Sequence, residues 1–260
     1  MGVPTLGCSC AVCTSTDPRD QRLRPSVLVR WTDSADPACR RAVVIDTGPD
    51  FREQALRQHL THLDAVLYTH AHADHIMGMD DLRPLSFEAR RRGGPIPLYA
   101  SNETAAVLRR VYDYTFSAEA TYATRARVEI RPLEECTRVH EVEFRRVPVL
   151  HGDMEVSGFR FGNAAYLTDV SFIPESSFAL LQGLQTLVLP SLRHKPHPTH
   201  ATLEQAIAWA RRIGARQTWL THIAHELGHE KTSHMLPEGI ALAWDGLEVP
   251  VDLSSAGSAA

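Results

Sequence analysis

The chain has 260 residues, 43% hydrophobic and 22% charged, with a formal net charge of −4, a composition that excludes an extended disordered or collagen-like polymer. A mildly acidic chain has no general positive field for nucleic acid, so a phosphate-bearing partner has to be met by local groups. Its apolar runs are strand-sized, well short of the roughly 20 residues of a membrane-spanning helix, and the start shows neither a basic-then-apolar leader nor a myristoylation signal; one cytoplasmic domain over 1–260 is expected, without a membrane partner.

In chain order, Cys8, Cys10 and Cys13 crowd the N-terminus, and a polar loop follows. Strands are expected over Ser26–Trp31 and Ala42–Ile45, the second ending in the turn signal Asp46-Thr47-Gly48-Pro49. A helix is expected over Pro49–Leu60, then a short buried strand over Ala65–Tyr68. A strand over Pro97–Ala100 precedes a helix over Asn102–Tyr112, with Asn102 as its N-cap. Further strands are expected over Arg127–Arg131, Val142–Leu150, Glu155–Phe161 and Ala164–Leu167. A helical pattern over Pro174–Leu181, a strand over Thr186–Leu189, a helix over Leu203–Ile213 and a strand over Gln217–Leu220 complete the reading. Strands in runs, interrupted by helices, imply packed sheets with helices outside.

Histidine is the residue that breaks the ordinary pattern: 14 copies, gathered in clusters. The run His70-Ala71-His72-Ala73-Asp74-His75 directly follows a predicted strand. His70 and His72 share one side of an extended strand end while Asp74 and His75 turn toward a neighbouring position, a spacing that can feed two metals. Imidazole and carboxylate suit borderline divalent ions such as zinc or manganese. Six residues cannot enclose two ions, so further ligands are expected at other strand ends, where a rigid scaffold holds them. His151, Asp169 and His222 each follow a strand-like run.

Together these residues resemble the metallo-β-lactamase superfamily, whose HxHxDH loop and later His, Asp and His ligands they match in order. The resemblance implies an α/β fold, the αββα sandwich of two mixed β-sheets with helices on the outer faces. It implies a first metal held by His70, His72 and His151, a second by Asp74, His75 and His222, and Asp169 bridging both. The three N-terminal cysteines narrow the choice. In a cytoplasmic chain an odd, clustered set favours metal over disulfides; with a fourth donor, for which His225 is the best placed, they could hold one tetrahedral zinc. This pattern resembles the phosphoribosyl 1,2-cyclic phosphate phosphodiesterase group of bacterial phosphonate breakdown, in which a structural zinc pins the N-terminal loop, here residues 1–25, beside the active site.

Two more segments bear on substrate. Arg193-His194-Lys195-Pro196-His197-Pro198-Thr199-His200 precedes a helix start, where free backbone donors favour anions. By the resemblance His200 touches the phosphate, orienting it or protonating the leaving oxygen. Arg83, just after Asp80 and Asp81, is a candidate phosphate ligand or an internal ion-pair partner. Glu226, His229 and Glu230 read as charged surface, and His59, His62 and His140 as structural or exposed. The expected chemistry is hydrolysis of a small, cyclic phosphodiester by a hydroxide bridging two metals, zinc or manganese, with Asp74 and His200 as catalytic candidates. Rivals are a lactonase or thioesterase on the same metals, a tRNA-processing nuclease, for which no inserted basic arm is visible, and a non-hydrolytic protein of cofactor biosynthesis. Relatives begin with a strand ahead of the stretch matching Gly2-Val3-Pro4; either the chain continues upstream, or a missing strand leaves an edge open to a second copy, a homodimer.

Overall fold

The β-branched segment β1 (Val27–Thr32) pairs antiparallel with β2 (Arg40–Ile45), and the burial of 42–45 shows why the second strand is the more apolar. They begin one of two compact units in the chain: 24–134 with 139–141, and 1–23 with 135–138 and 142–260. The structure, a computed structural model, describes residues 2–91, 93–119 and 124–254.

In the first unit α1 (Phe51–Arg57), β3 (Ala65–Leu67), α2 (Ala73–Ile76), α3 (Leu82–Arg91), β4 (Ile96–Ala100), α4 (Asn102–Val111), α5 (Asp113–Phe116) and β5 (Val128–Pro132) follow. The sheet order is β1-β2-β3-β4-β5, parallel from β2 onward. Ile45 lies opposite Leu67, so the residues following β2 and β3 leave the sheet side by side. Its core gathers Val44, Val66 and Leu98 with Leu108 of α4, and residues 43–45 and 65–67 are buried on both faces, as parallel strands require.

Helix α1 is shorter than its apolar spacing predicts. Asp50 is held in the turn before it by the Arg24 backbone N–H (2.8 Å) and guanidinium (2.9 Å), and His59 at φ 49° breaks the helical path after it. The cap of α4 is Ser101, not Asn102: the Ser101 hydroxyl accepts from Thr104 N at 3.2 Å, and Asn102 is the first helical residue. Helix α3 was not foreshadowed by spacing; Pro84 sits in its first turn, where a missing N–H costs nothing.

The second unit contains β6 (Cys136–Val139, its first three residues here), β7 (Val142–His151), β8 (Met154–Phe161), β9 (Ala164–Tyr166), α6 (Glu175–Leu180), β10 (Thr186–Pro190), α7 (Leu203–Ile213), β11 (Gln217–Thr221), α8 (His229–Ser233) and β12 (Ile240–Leu242). Its order is β12-β11-β10-β9-β8-β7-β6. The strands β9 to β12 are parallel, and β7-β8-β9 antiparallel. Val147, Val149, Leu187, Leu189 and Leu220 meet Ala206 and Ile213 of α7 in the core. The bounds of α7 are those the sequence predicts: a Thr202/Gln205 capping box opens it, and Gly214 at φ 72° closes it. Strands β6 and β12 are too short to show alternation.

Residues 2–23 are tied to this unit by Arg22. Its buried guanidinium donates to Asp20 (3.0 Å) and to the Ala224 (3.1 Å) and Leu227 (2.7 Å) carbonyls, while Asp20 also accepts from His229 N at 2.8 Å. His229, expected on a charged surface, is 4% exposed because this pairing draws the start of α8 inward. Among the described residues no helix is long and apolar enough to cross a membrane.

Candidate functional site

In the first unit the metal-type residues stand on a buried carboxylate. Asp46, immediately after β2, takes φ 64°, a left-handed conformation that aspartate tolerates better than most residues. One oxygen accepts from Thr69 N (2.8 Å). The other lies 2.7 Å from both the Thr69 hydroxyl and His75 Nδ1. Burial pushes the Asp46 carboxyl up, and the His75 and Thr69 donors pull against it. The Thr69 hydroxyl, spending its hydrogen on Asp46, accepts from His70 Nδ1 at 2.9 Å. His75 and His70 are thereby turned so that Nε2 of each is the atom that could take a metal, an arrangement like the carboxylate-histidine pairs that orient metal ligands. His72 Nδ1 lies 3.0 Å from His70 Nε2, close to the roughly 3.3 Å between two nitrogens on one tetrahedral zinc. Asp74 is partly exposed, 3.9 Å from His75 Nε2.

The loop that carries these groups is braced from behind. Thr47 N donates to the His75 carbonyl and Gly78 N to the Thr47 carbonyl, each at 2.8 Å. A Cβ on Gly48 would collide with the Asp74 carbonyl, so the turn after β2 admits only glycine there.

In the second unit three strand ends meet. His151 ends β7, Asp169 follows β9 at φ 53°, and His222 follows β11 at φ 51°. The Asp169 carboxylate divides between them, Oδ2 facing His151 Nε2 at 3.8 Å and Oδ1 facing His222 Nε2 at 3.2 Å. The Thr168 hydroxyl donates to Oδ1. His151 Nδ1 donates to the Thr199 carbonyl at 2.6 Å, so that Nε2 is again the atom that could take a metal. His200 stacks on His222 with centroids 4.9 Å apart and lies 4.6 Å from His151. Asp169, His200 and His222 present ligand atoms within 4.8 Å of one another. Burial, then neighbouring His222, holds the His200 imidazole down at about 3, and its buried Nδ1 has no hydrogen-bond partner. His200 is therefore a neutral donor or acceptor near pH 7, not an imidazolium. The start of α7 is less open to anions than its position suggests, since the Thr202 hydroxyl already takes Gln205 N.

The same unit holds the sulfur cluster. Sγ of Cys8, Cys10 and Cys13 lie 3.1, 3.4 and 3.4 Å from His225 Nδ1. Bond lengths of about 2.3 Å to sulfur and 2.0 Å to nitrogen in a tetrahedron imply about 3.5 Å between such donors, so four ligand atoms converge at the spacing one zinc needs. Cys13 N donates to Cys10 Sγ, and this backbone contact brings the Cys10 thiol down to about 6. The donor sets thus fit divalent metals, as the fold requires.

Of the substrate candidates, Arg83 lies exposed on α3 with Nη1 donating to the Thr124 carbonyl (3.3 Å). Asp80 takes the Tyr114 hydroxyl. Asp46, Thr69 and Thr199 escaped the sequence reading. Asp46 was seen there only as a turn residue, though it stands directly after a strand, the same position that singled out Asp169 and His222. Thr69 and Thr199 carry no comparable signal.

Comparison with known proteins agrees with this geometry. The model of the beta-lactamase superfamily domain matches residues 41–223. A crystal structure of a diphosphatase from the PhnP family is 49% identical, with a TM-score of 0.89 over 98% of this chain and 95% of that one. The octanoyltransferase of Porphyromonas gingivalis is 34% identical over 255 residues, 96% of this chain and 49% of that protein. Coenzyme PQQ synthesis protein B of Methylorubrum extorquens is 31% identical over 109 residues, 38% of this chain and 33% of that protein. The chain thus spans about half the length of the first curated relative and a third of the second. Two mixed sheets with their helices, strand-end imidazoles and carboxylates, and a family match over most of the sequence lead to one assignment: the chain belongs to the beta-lactamase superfamily and has the fold of its metal-dependent hydrolases.

Proposed function

We propose that the chain hydrolyses a small phosphodiester, cyclic or otherwise, with two divalent metals, zinc or manganese. His70, His72 and His151 would hold one, Asp74, His75 and His222 the other, and Asp169 both, in a single hydrolase domain over 1–260. Bound there, the metals supply Lewis acidity toward phosphoryl oxygens and an activated water at neutral pH. The single observation that carries the reading is the Asp169 carboxylate, which offers a separate oxygen to each of two imidazoles. His200, stacked beside His222, offers a neutral N–H to a phosphoryl or leaving oxygen, with Asp74 as a further catalytic candidate on the first unit's loop. Cys8, Cys10, Cys13 and His225 would hold a structural zinc, since four protein donors leave no open position for a substrate.

A second reading is favoured by the likeness to the PhnP-family diphosphatase: the bond broken joins two phosphates. Both readings place attack on a phosphorus with two bridging oxygens. The test is a panel of bis(p-nitrophenyl) phosphate, ribose cyclic phosphates and diphosphate diesters against lactones and thioesters, with protein purified in zinc or in manganese. Turnover of the phosphorus substrates is expected; turnover of the carbonyl substrates alone overturns the proposal. Metal analysis separates the sites: Cys10→Ser is expected to remove one zinc per chain and leave the histidine-bound metals. A wild-type protein with no zinc beyond those two contradicts the structural site.

A further inference from the structure

Thr199 serves two histidines with opposite demands. Its carbonyl can only accept, so His151 Nδ1, 2.6 Å away, carries a proton. Its backbone N–H can only donate, and it points at His197 Nδ1 at 3.3 Å, with the Thr199 hydroxyl 3.2 Å from the same atom. His197 Nδ1 is therefore the acceptor, and the neutral ring carries its proton on Nε2. One residue thus sets His151 as a lone-pair donor to metal and His197 as an N–H donor to something else.

The loop around His197 is built to hold that ring. Arg193 Nε and Nη2 donate to the Lys195 and Pro196 carbonyls, each at 3.2 Å. Leu192 N to Ala201 O and Leu203 N to Arg193 O, each 3.0 Å, close the loop at its base. A Cβ on Gly152, at φ 64°, would stand 3.0 Å from the Thr199 methyl, so glycine lets Thr199 approach His151. The result is a cluster of imidazoles in which His200 lies 4.9 Å from His222 and 4.9 Å from His197. His197 is half-exposed.

In a diester with one phosphorus the atom beyond the bridging oxygen is carbon, which bears no anionic oxygen for a donor beside His200; in a diphosphate diester it is a second phosphorus. A fixed N–H donor there matches anionic oxygens one bridging atom beyond the phosphorus under attack. We propose that His197 is a substrate-binding residue, held as an Nε2–H donor by the positioning residue Thr199, and that it binds the second phosphate of a diphosphate diester on the leaving-group side. The assignment rests on the phosphorus-hydrolysis reading above and names its substrate class.

The experiment compares His197→Leu, which keeps the bulk and removes the donor, with His197→Gln, which restores an amide N–H. Substrates are ADP-ribose, with two phosphates, and bis(p-nitrophenyl) phosphate, with one; inorganic diphosphate and orthophosphate serve as inhibitors. His197→Leu is expected to raise KM for ADP-ribose and Ki for diphosphate by about ten- to a hundredfold, the range for a hydrogen bond to a charged group. Values for bis(p-nitrophenyl) phosphate and orthophosphate should stay within about twofold, with metal content unchanged, and His197→Gln should recover most of the loss. Equal losses on both substrates, no loss on either, or a wild-type protein that cleaves bis(p-nitrophenyl) phosphate but not ADP-ribose would overturn the assignment. A wild-type protein inactive on both overturns the hydrolase reading itself, and this assignment with it.

Discussion

The sulfur cluster and the strand-end histidines of the second unit differ in what holds them. Cys8, Cys10 and Cys13 lie on an irregular loop, where Cys13 N donates to Cys10 Sγ and Thr5 N to Cys13 Sγ, and the Arg22 clamp ties the loop to the rest of the unit. His151, Asp169 and His222 are ends of hydrogen-bonded strands, and two of them are bent into the left-handed region. Four converging donors with no open position describe a brace. Donors that divide a carboxylate, with a neutral imidazole at their side, describe a place where something else binds. The two donor sets thus differ in scaffold: one is gathered on a loop, the other on strand ends that a sheet holds rigid.

The comparison can be broken most sharply at Asp169. Asp169→Asn removes the charge shared between two imidazoles, and turnover of the phosphorus substrates is expected to fall to background with loss of histidine-bound metal, while the cysteine-bound zinc stays. A variant with both metals and full turnover would show that the carboxylate is dispensable. Next in size is Arg22→Met, which leaves Asp20 buried without its partner; unfolding in urea should show a loss of about 3–5 kcal/mol. A cost under about 1 kcal/mol would mean that zinc alone holds the N-terminal loop.

Smaller effects sharpen the contrast. Asp46→Asn alters the partner of His75 Nδ1 and should weaken histidine-bound metal by about ten- to a hundredfold, with the cysteine site unaffected; titration with a competing chelator measures both. Gly48→Ala presses on the Asp74 carbonyl and should cost about 1–3 kcal/mol in thermal or urea unfolding, with a rise in the metal concentration needed for half-maximal activity. No change in either would show that the turn yields.

Much of this was legible because ligands and strands leave strong signals. Four metal-type donors in six residues, and three more at the ends of apolar runs, stand out because the histidines are gathered in clusters. Helix α7 shows in its apolar spacing, its capping box and its terminal glycine at once. What stayed hidden acts through the backbone or across the sequence. Thr199 works by its carbonyl and N–H, which every residue but proline possesses. Arg22 fell within a polar loop and His229 read as charged surface, because nothing local shows that residues far apart in the sequence will bury each other. Asp46 was visible as a turn and invisible as a support for His75. Strands β6 and β12 are stabilised by their neighbours in the sheet and carry too few residues for a pattern.

The left-handed backbone at Asp46, Asp169 and His222 restricts the alphabet from which these positions can be drawn. Aspartate, asparagine and histidine are the side chains that tolerate this conformation best after glycine, and they are also short side chains bearing metal or proton donors and acceptors. Backbone and chemistry select the same few letters. Exchange of side chain at these corners is therefore narrow: a change such as Asp169→Glu meets both a longer reach and a less tolerant backbone, whereas Cys8, Cys10 and Cys13, outside the left-handed region, are free of that second constraint.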